Sequence, residues 1–140
     1  HPVSIIRTAN VQGISPAENK GHGVVHHLCR EAMYGFFNVP GTGEEVKDMI
    51  HVKDLASMIK SIVENPPPTR GAVAVGRGQG VRMSELAEIV SQATGASPQY
   101  NSQPGEEVWG IVDGWEMGQR IEHKPEVSIQ YIIEEALSNQ

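Results

Sequence analysis

The chain has very little cysteine: Cys29 stands alone among 140 residues. That excludes an internal disulfide and fits a reducing compartment. Long apolar runs are also missing, so no segment reads as a bilayer-spanning helix. Basic residues are few, 11 Lys and Arg against 17 Asp and Glu, for a net charge of −6. A nucleic-acid surface needs clustered cations, so that function class is set aside. No charged-then-apolar leader precedes the first strand-like segment, so the expected location is cytoplasmic. The chain opens on His1-Pro2 without an initiator Met and enters a strand-like run at once. It therefore reads as a trimmed product, a cloned fragment or a cleaved chain.

What is present suits one domain over residues 1–140, long enough to bury a core. Val3 to Arg7 is β-branched and reads as a strand. Thr8 to Gly23 is rich in Gly, Pro, Asn and Ser and reads as a long loop. Apolar residues every four positions predict a helix from Val24 to Phe36, followed by short strands at Phe37–Val39 and Val46–His51. The clearest helix is Lys53 to Glu64, with Leu55, Met58, Ile59, Ile62 and Val63 on one face and Asn65-Pro66 as its stop. Ala72–Val75 reads as a buried strand. Ser84 is the expected N-cap of a helix that Gly95 ends after Thr94. A strand at Gln99–Ser102, a helical turn at Trp115–Arg120 and a helix at Ser128–Leu137 complete the pattern. Short strands alternating with about four helices place the fold class as α/β, with an α+β-like small domain.

The most telling stretch runs from Val46 through Lys47-Asp48 and His51-Val52 to Asp54-Leu55-Ala56, just after the Gly41-Thr42-Gly43 turn. It resembles the G-x-G-x-x-x-R-D-x-x-H-V-x-D-L-A signature of the extended short-chain dehydrogenases, which include the NAD-dependent nucleotide-sugar epimerases and dehydratases. Arg7-Thr8-Ala9-Asn10-Val11-Gln12-Gly13 is similar to the R-x-x-N-V-Y-G stretch of that family. Val73 to Gly78 is similar to its N-x-G-x-G turn, Val81 to Leu86 to its V-S-x-x-E-L helix start, and Pro104-Gly105-Glu106 to its G-D/E turn. Trp115 to Gly118 and Pro125 to Ile133 resemble its closing segment. The pieces fall in the family's order over nearly the whole chain.

The resemblance implies the substrate-binding, C-terminal part of such an enzyme. It also implies that Asn10, Lys47 and Gln103 face the substrate, with Lys47 where the family usually has an Arg and Gln103 where it has a second Arg. Lys47 keeps the charge without the bidentate fork, and Arg77 or Arg82 could compensate for the neutral Gln103. Two family features are missing. No G-x-x-G-x-x-G opens a strand-to-helix turn, and no Y-x-x-x-K is present: Tyr34, Tyr100 and Tyr131 are followed four residues on by Asn38, Pro104 and Glu135. NAD(P) is thus expected in the full-length family and not in this chain, and no catalytic residue is expected here. The expected partners are a nucleotide-sugar and either a homodimer mate or a Rossmann-domain partner. The alternative is a free-standing, non-enzymatic binding or dimerisation module derived from that family.

Other signals have plainer readings. Lys47 could pair with Asp48 as a solvated strand charge. His51 and Asp54 read as structural, a packed histidine and an acid on the helix dipole. His22 and His26 have i, i+4 spacing, but Gly21 and Gly23 flank His22, so solvated histidines are the expectation rather than a metal site. Gly76 to Gly80 reads as a positive-φ turn, not a phosphate loop. Cys29 reads as a packed thiol, Glu106, Glu107 and Asp113 as loop acids, and Trp109 and Trp115 as core.

Overall fold

The computed structural model describes residues 5–15, 20–66, 71–101 and 108–140. In chain order the elements are β1 (Ile5–Thr8), β2 (Asn10–Ser15), β3 (Lys20–His22), α1 (Val24–Ala32), β4 (Phe36–Val39), β5 (Val46–His51), α2 (Val52–Glu64), β6 (Ala72–Val75), β7 (Gly80–Arg82), α3 (Met83–Thr94), β8 (Ser97–Tyr100), β9 (Val108–Trp109), α4 (Gly114–Arg120) and α5 (Ile129–Leu137). This is an α/β architecture with five helices among the described residues, one more than expected because the turn at residues 114–120 is a helix.

Among the described residues three small sheets carry the strands. β1 and β6 pair in parallel, Ile5 with Ala72 through Thr8 with Val75. β4 and β8 form a second parallel pair. The third sheet runs β3-β2-β5-β7, with β9 also on β5. The segment expected to be a long loop from Thr8 to Gly23 instead holds the β2–β3 hairpin, Gly13 opposite His22. Low strand propensity at Asn10, Gly13 and Ser15 is overridden because β2 also pairs in parallel with β5, through Asn10–Met49, Val11–Ile50 and Gln12–His51.

β5 is the wall between two cores. Side chains alternate across a strand, so Met49 joins the cluster of Val25, Leu28, Phe37, Met83, Leu86 and Ile133. Ile50 joins the other, with Met58, Ile62, Val73, Val75 and Met117. Ser84 does not cap α3: Arg82 holds the N-cap position, and the Ser84 N–H donates to the Gly43 carbonyl, tying α3 to the glycine turn. Gly95 does end that helix, in the left-handed region at φ 76°. The face read on the Lys53–Glu64 helix divides in two. Met58 and Ile62 are buried and Leu55 half-buried, whereas Ile59 and Val63 are exposed.

Candidate functional site

The signature stretch positions three side chains, each gripping a distant segment. Asp48 is fully buried. Its Oδ1 accepts from the Arg77 N–H at 2.8 Å, and its Oδ2 from the Gly78 N–H at 3.0 Å and the Val112 N–H at 3.1 Å. A carboxylate buried without a cation is tolerable because three backbone dipoles replace its water. His51, three residues on, is also buried and caps α2: its Nδ1 accepts from the Lys53 N–H at 3.1 Å. With Nδ1 an acceptor, the ring proton sits on Nε2, which donates to Glu135 Oε2 at 2.8 Å. Asp54, after three more residues, accepts from the Glu126 N–H at 3.1 Å and the Val127 N–H at 2.9 Å. The alternating face of β5 and the first turn of α2 thus aim Asp48 at the loops at residues 76–78 and 112, His51 at α5, and Asp54 at the segment before α5.

The structural readings of His51 and Asp54 hold, although the sequence offered no sign of the partners. The pairing of Lys47 with Asp48 does not hold. Neighbouring strand residues point to opposite faces, and the Asp48 oxygens are committed to backbone N–H groups. Lys47 makes no ion pair among the described residues and is half-buried. Asn10 stands in register with Met49, and Lys47 lies two residues before Met49, so Asn10 and Lys47 share one face of the β2–β5 sheet. The Asn10 Nδ2 donates to the Asp48 carbonyl at 3.1 Å. Its Oδ1 then has no partner among the described residues and is open to accept from a ligand. Gln103 and the Pro104-Gly105-Glu106 turn lie outside the described residues, as does Glu107. Of the two cations that could compensate, Arg82 is engaged by Glu44, while Arg77 is half-buried with no partner among the described residues.

A dinucleotide does not fit the glycine turn at residues 76–80. Gly78 has φ 73°, as a positive-φ turn requires. The N–H groups of Arg77 and Gly78, which would cradle a phosphate, already point at the Asp48 carboxylate, and that negative charge would repel an anion. The turn also leads into β7 rather than a helix. Gly76 has a packing role: a Cβ there would lie 2.6 Å from Asp48 Oδ2 and 2.6 Å from Val112 Cγ2.

His22 ends β3, ahead of α1, and His27 pairs with Glu31 at 3.3 Å. Among the described residues no three His, Cys, Asp or Glu side chains could hold a metal ion together. His26 lies beside Gln140. Burial, then the nearby Arg30, His22 and His27, hold its pKa below the usual imidazole value. Cys29 is buried, and burial pushes its thiol up to about 12, so it is a packing residue. The core reading of Trp115 is overturned: it is 75% exposed on the short α4. The Trp109 side chain lies outside the described residues.

Two features had no signal in the sequence. Lys53 Nζ donates to the Tyr131 hydroxyl at 3.0 Å and lies 3.5 Å from Glu135 Oε1, closing a surface cluster over His51. A cleft of about 210 Å³ opens between Val11, Gly13 and Ile14 of β2, His22 and Val52. Neither Asn10 nor Lys47 lines it. No helix among the described residues is long and apolar enough to cross a membrane.

No protein-family model matches this sequence, and no match to a curated protein was found. Solved structures do match over nearly the whole chain. A UDP-glucuronic acid 4-epimerase from Bacillus cereus, solved with UDP-glucuronic acid and NAD, superposes with a TM-score of 0.81 at 16% identity, over 99% of this chain and 45% of that one. A UDP-glucose 4-epimerase from Thermotoga maritima, solved with UDP-glucose, gives 0.76 at 21% identity, over 97% and 45%. A dTDP-glucose 4,6-dehydratase from Bacillus anthracis in complex with NAD gives 0.78 at 19% identity, over 98% and 44%. The chain spans less than half the length of these structures. It therefore has the fold of one part of the NAD-dependent nucleotide-sugar epimerases and dehydratases.

Proposed function

We propose that this chain is the substrate-binding lobe of an epimerase- or dehydratase-like protein and recognises a nucleotide-sugar without turning it over by itself. The observation that carries the reading is the division of labour at Lys47-Asp48. The Asp48 carboxylate is spent on three backbone N–H groups, so the Lys47 ammonium is left uncommitted on the face that Asn10 shares. A cation beside an open amide suits the diphosphate and a neighbouring hydroxyl of a nucleotide-sugar. Gln103 would add a neutral hydrogen bond. The titration groups and glycine cradle needed for hydride transfer would come from a nucleotide-binding half on another segment or chain, which would hold NAD. Solved neighbours of twice the length, crystallised with NAD and with UDP-sugars, support that division.

Calorimetric titration with UDP-glucose, dTDP-glucose and NAD tests the reading. The expected result is weak saturable binding of the sugar nucleotides, weakened about tenfold or more by Lys47→Ala, the loss of one charge-assisted contact. NAD should not bind. Absence of binding by both sugar nucleotides, or binding indifferent to Lys47→Ala, would overturn it.

A further inference from the structure

Gln12 is buried, with 2% of its surface exposed, yet half of its amide has no protein partner among the described residues. Its Oε1 accepts from the Val25 N–H at 3.3 Å, which gives the start of α1 a side-chain cap that Gly23 does not supply. A backbone N–H needs an acceptor, so this contact fixes which way round the amide lies. Gly23 permits the close approach. It has φ 91°, and a Cβ there would press on Oε1 and lie 2.7 Å from Nε2. Nε2 is left with N–H donors and no acceptor, and burying such donors unpaired is costly. Among the described residues, no side-chain nitrogen or oxygen that is wholly shut off from solvent lacks a partner. The Gln12 Nε2 must therefore border a space that a water can reach.

Two spaces adjoin this side chain. The cleft toward Val52 has mostly apolar walls, and His22 is its other polar group. The second space is a cavity of about 10 Å³ between β2, the end of β3, α1 and α5. Its other polar walls are His22, His26 and Glu135. That volume suits the centre of one water, and a buried water needs about two to four polar partners. Glu135 has acceptor capacity to spare. Its Oε2 takes one bond from His51 and its Oε1 a long one from Lys53, whereas a carboxylate offers about four lone-pair sites. We infer that one long-lived water occupies this cavity, accepting from Gln12 Nε2 and donating to Glu135, with an imidazole of the same wall completing its set. The water joins β2 to α5 through two side chains that share no direct hydrogen bond among the described residues. Gln12 lies two residues after Asn10 on the same face of β2, so the bridge braces the strand that carries Asn10. The inference rests on packing and hydrogen bonding alone and stands apart from any nucleotide-sugar.

Cross-relaxation between water and methyl groups, measured by NMR on the whole chain, tests it. Val25, Ile132 and Ala136 line the cavity, and their methyl protons do not exchange with solvent. The expected result is an Overhauser effect from the water resonance to these methyls, opposite in sign in the laboratory and rotating frames. That pattern marks a water that tumbles with the protein. Gln12→Met keeps the side chain's length, removes its donors and should abolish the effect. The wild-type spectrum decides the matter if Gln12→Met does not fold. Effects of the same sign in both frames, as fast-exchanging water in the open cleft would give, would overturn the inference. So would the lack of any effect at these methyls. Effects that persist in folded Gln12→Met, as relay through an imidazole proton would produce, would overturn it too.

Discussion

At Asp48, a single carboxylate joins three stretches of chain that are far apart in sequence. Among the described residues no cation pairs with it, and its partners are backbone N–H groups of Arg77, Gly78 and Val112. Asp48→Asn keeps the shape but turns an N–H₂ toward donors that need an acceptor. The cost expected for leaving such groups buried and unsatisfied is about 3 kcal/mol, read as a lower midpoint in urea denaturation. An unchanged midpoint would mean that the three contacts carry no net weight. The Lys47-Asp48 pair in sequence suggested an ion pair, and the strand's alternation denied it. The residue types were legible, but their partners were not, because a backbone N–H 29 or 64 residues away leaves no mark on the local pattern.

The elements themselves were read well where periodicity was strong. β5, β6 and the bodies of α2, α3 and α5 fall where the apolar spacing puts them. The β2–β3 hairpin was missed because its strands are held by pairing with β5 rather than by their own propensity. The two-sided nature of α2 was missed because spacing reveals that residues are apolar and not which apolar stripe is covered. His51 and Glu135 decide how α5 is attached. Burial works to raise the Glu135 carboxyl, but the hydrogen bond from His51 and the Lys53 ammonium outweigh it and hold the pKa below the usual 4.5. A depressed folded-state value means that the unfolded chain binds the proton first. The stability that Glu135 contributes is therefore fully present above its ordinary range and is lost as pH falls through the folded value. Urea midpoints measured from about pH 6 down to about pH 3 should decline below that range. Glu135→Gln should start lower at neutral pH and decline less steeply. An equal slope in both proteins would remove Glu135 from the acid response.

For the whole molecule, the order of motifs was enough to read the fold. At the glycine turn of residues 76–80 the Arg77 and Gly78 N–H groups are filled by the Asp48 carboxylate. What could not be read was the exposure of Ile59 and Val63, which depends on how α2 is rolled against its neighbours. The central claim is recognition at the Asn10 and Lys47 face. Its most direct measurement is a ¹H–¹⁵N correlation spectrum of the labelled chain during addition of UDP-glucose. Saturable shifts concentrated at Asn10, its side-chain amide, Lys47 and their β2–β5 neighbours are the expected result. A spectrum that does not move, or shifts confined to residues remote from that face, would contradict the account.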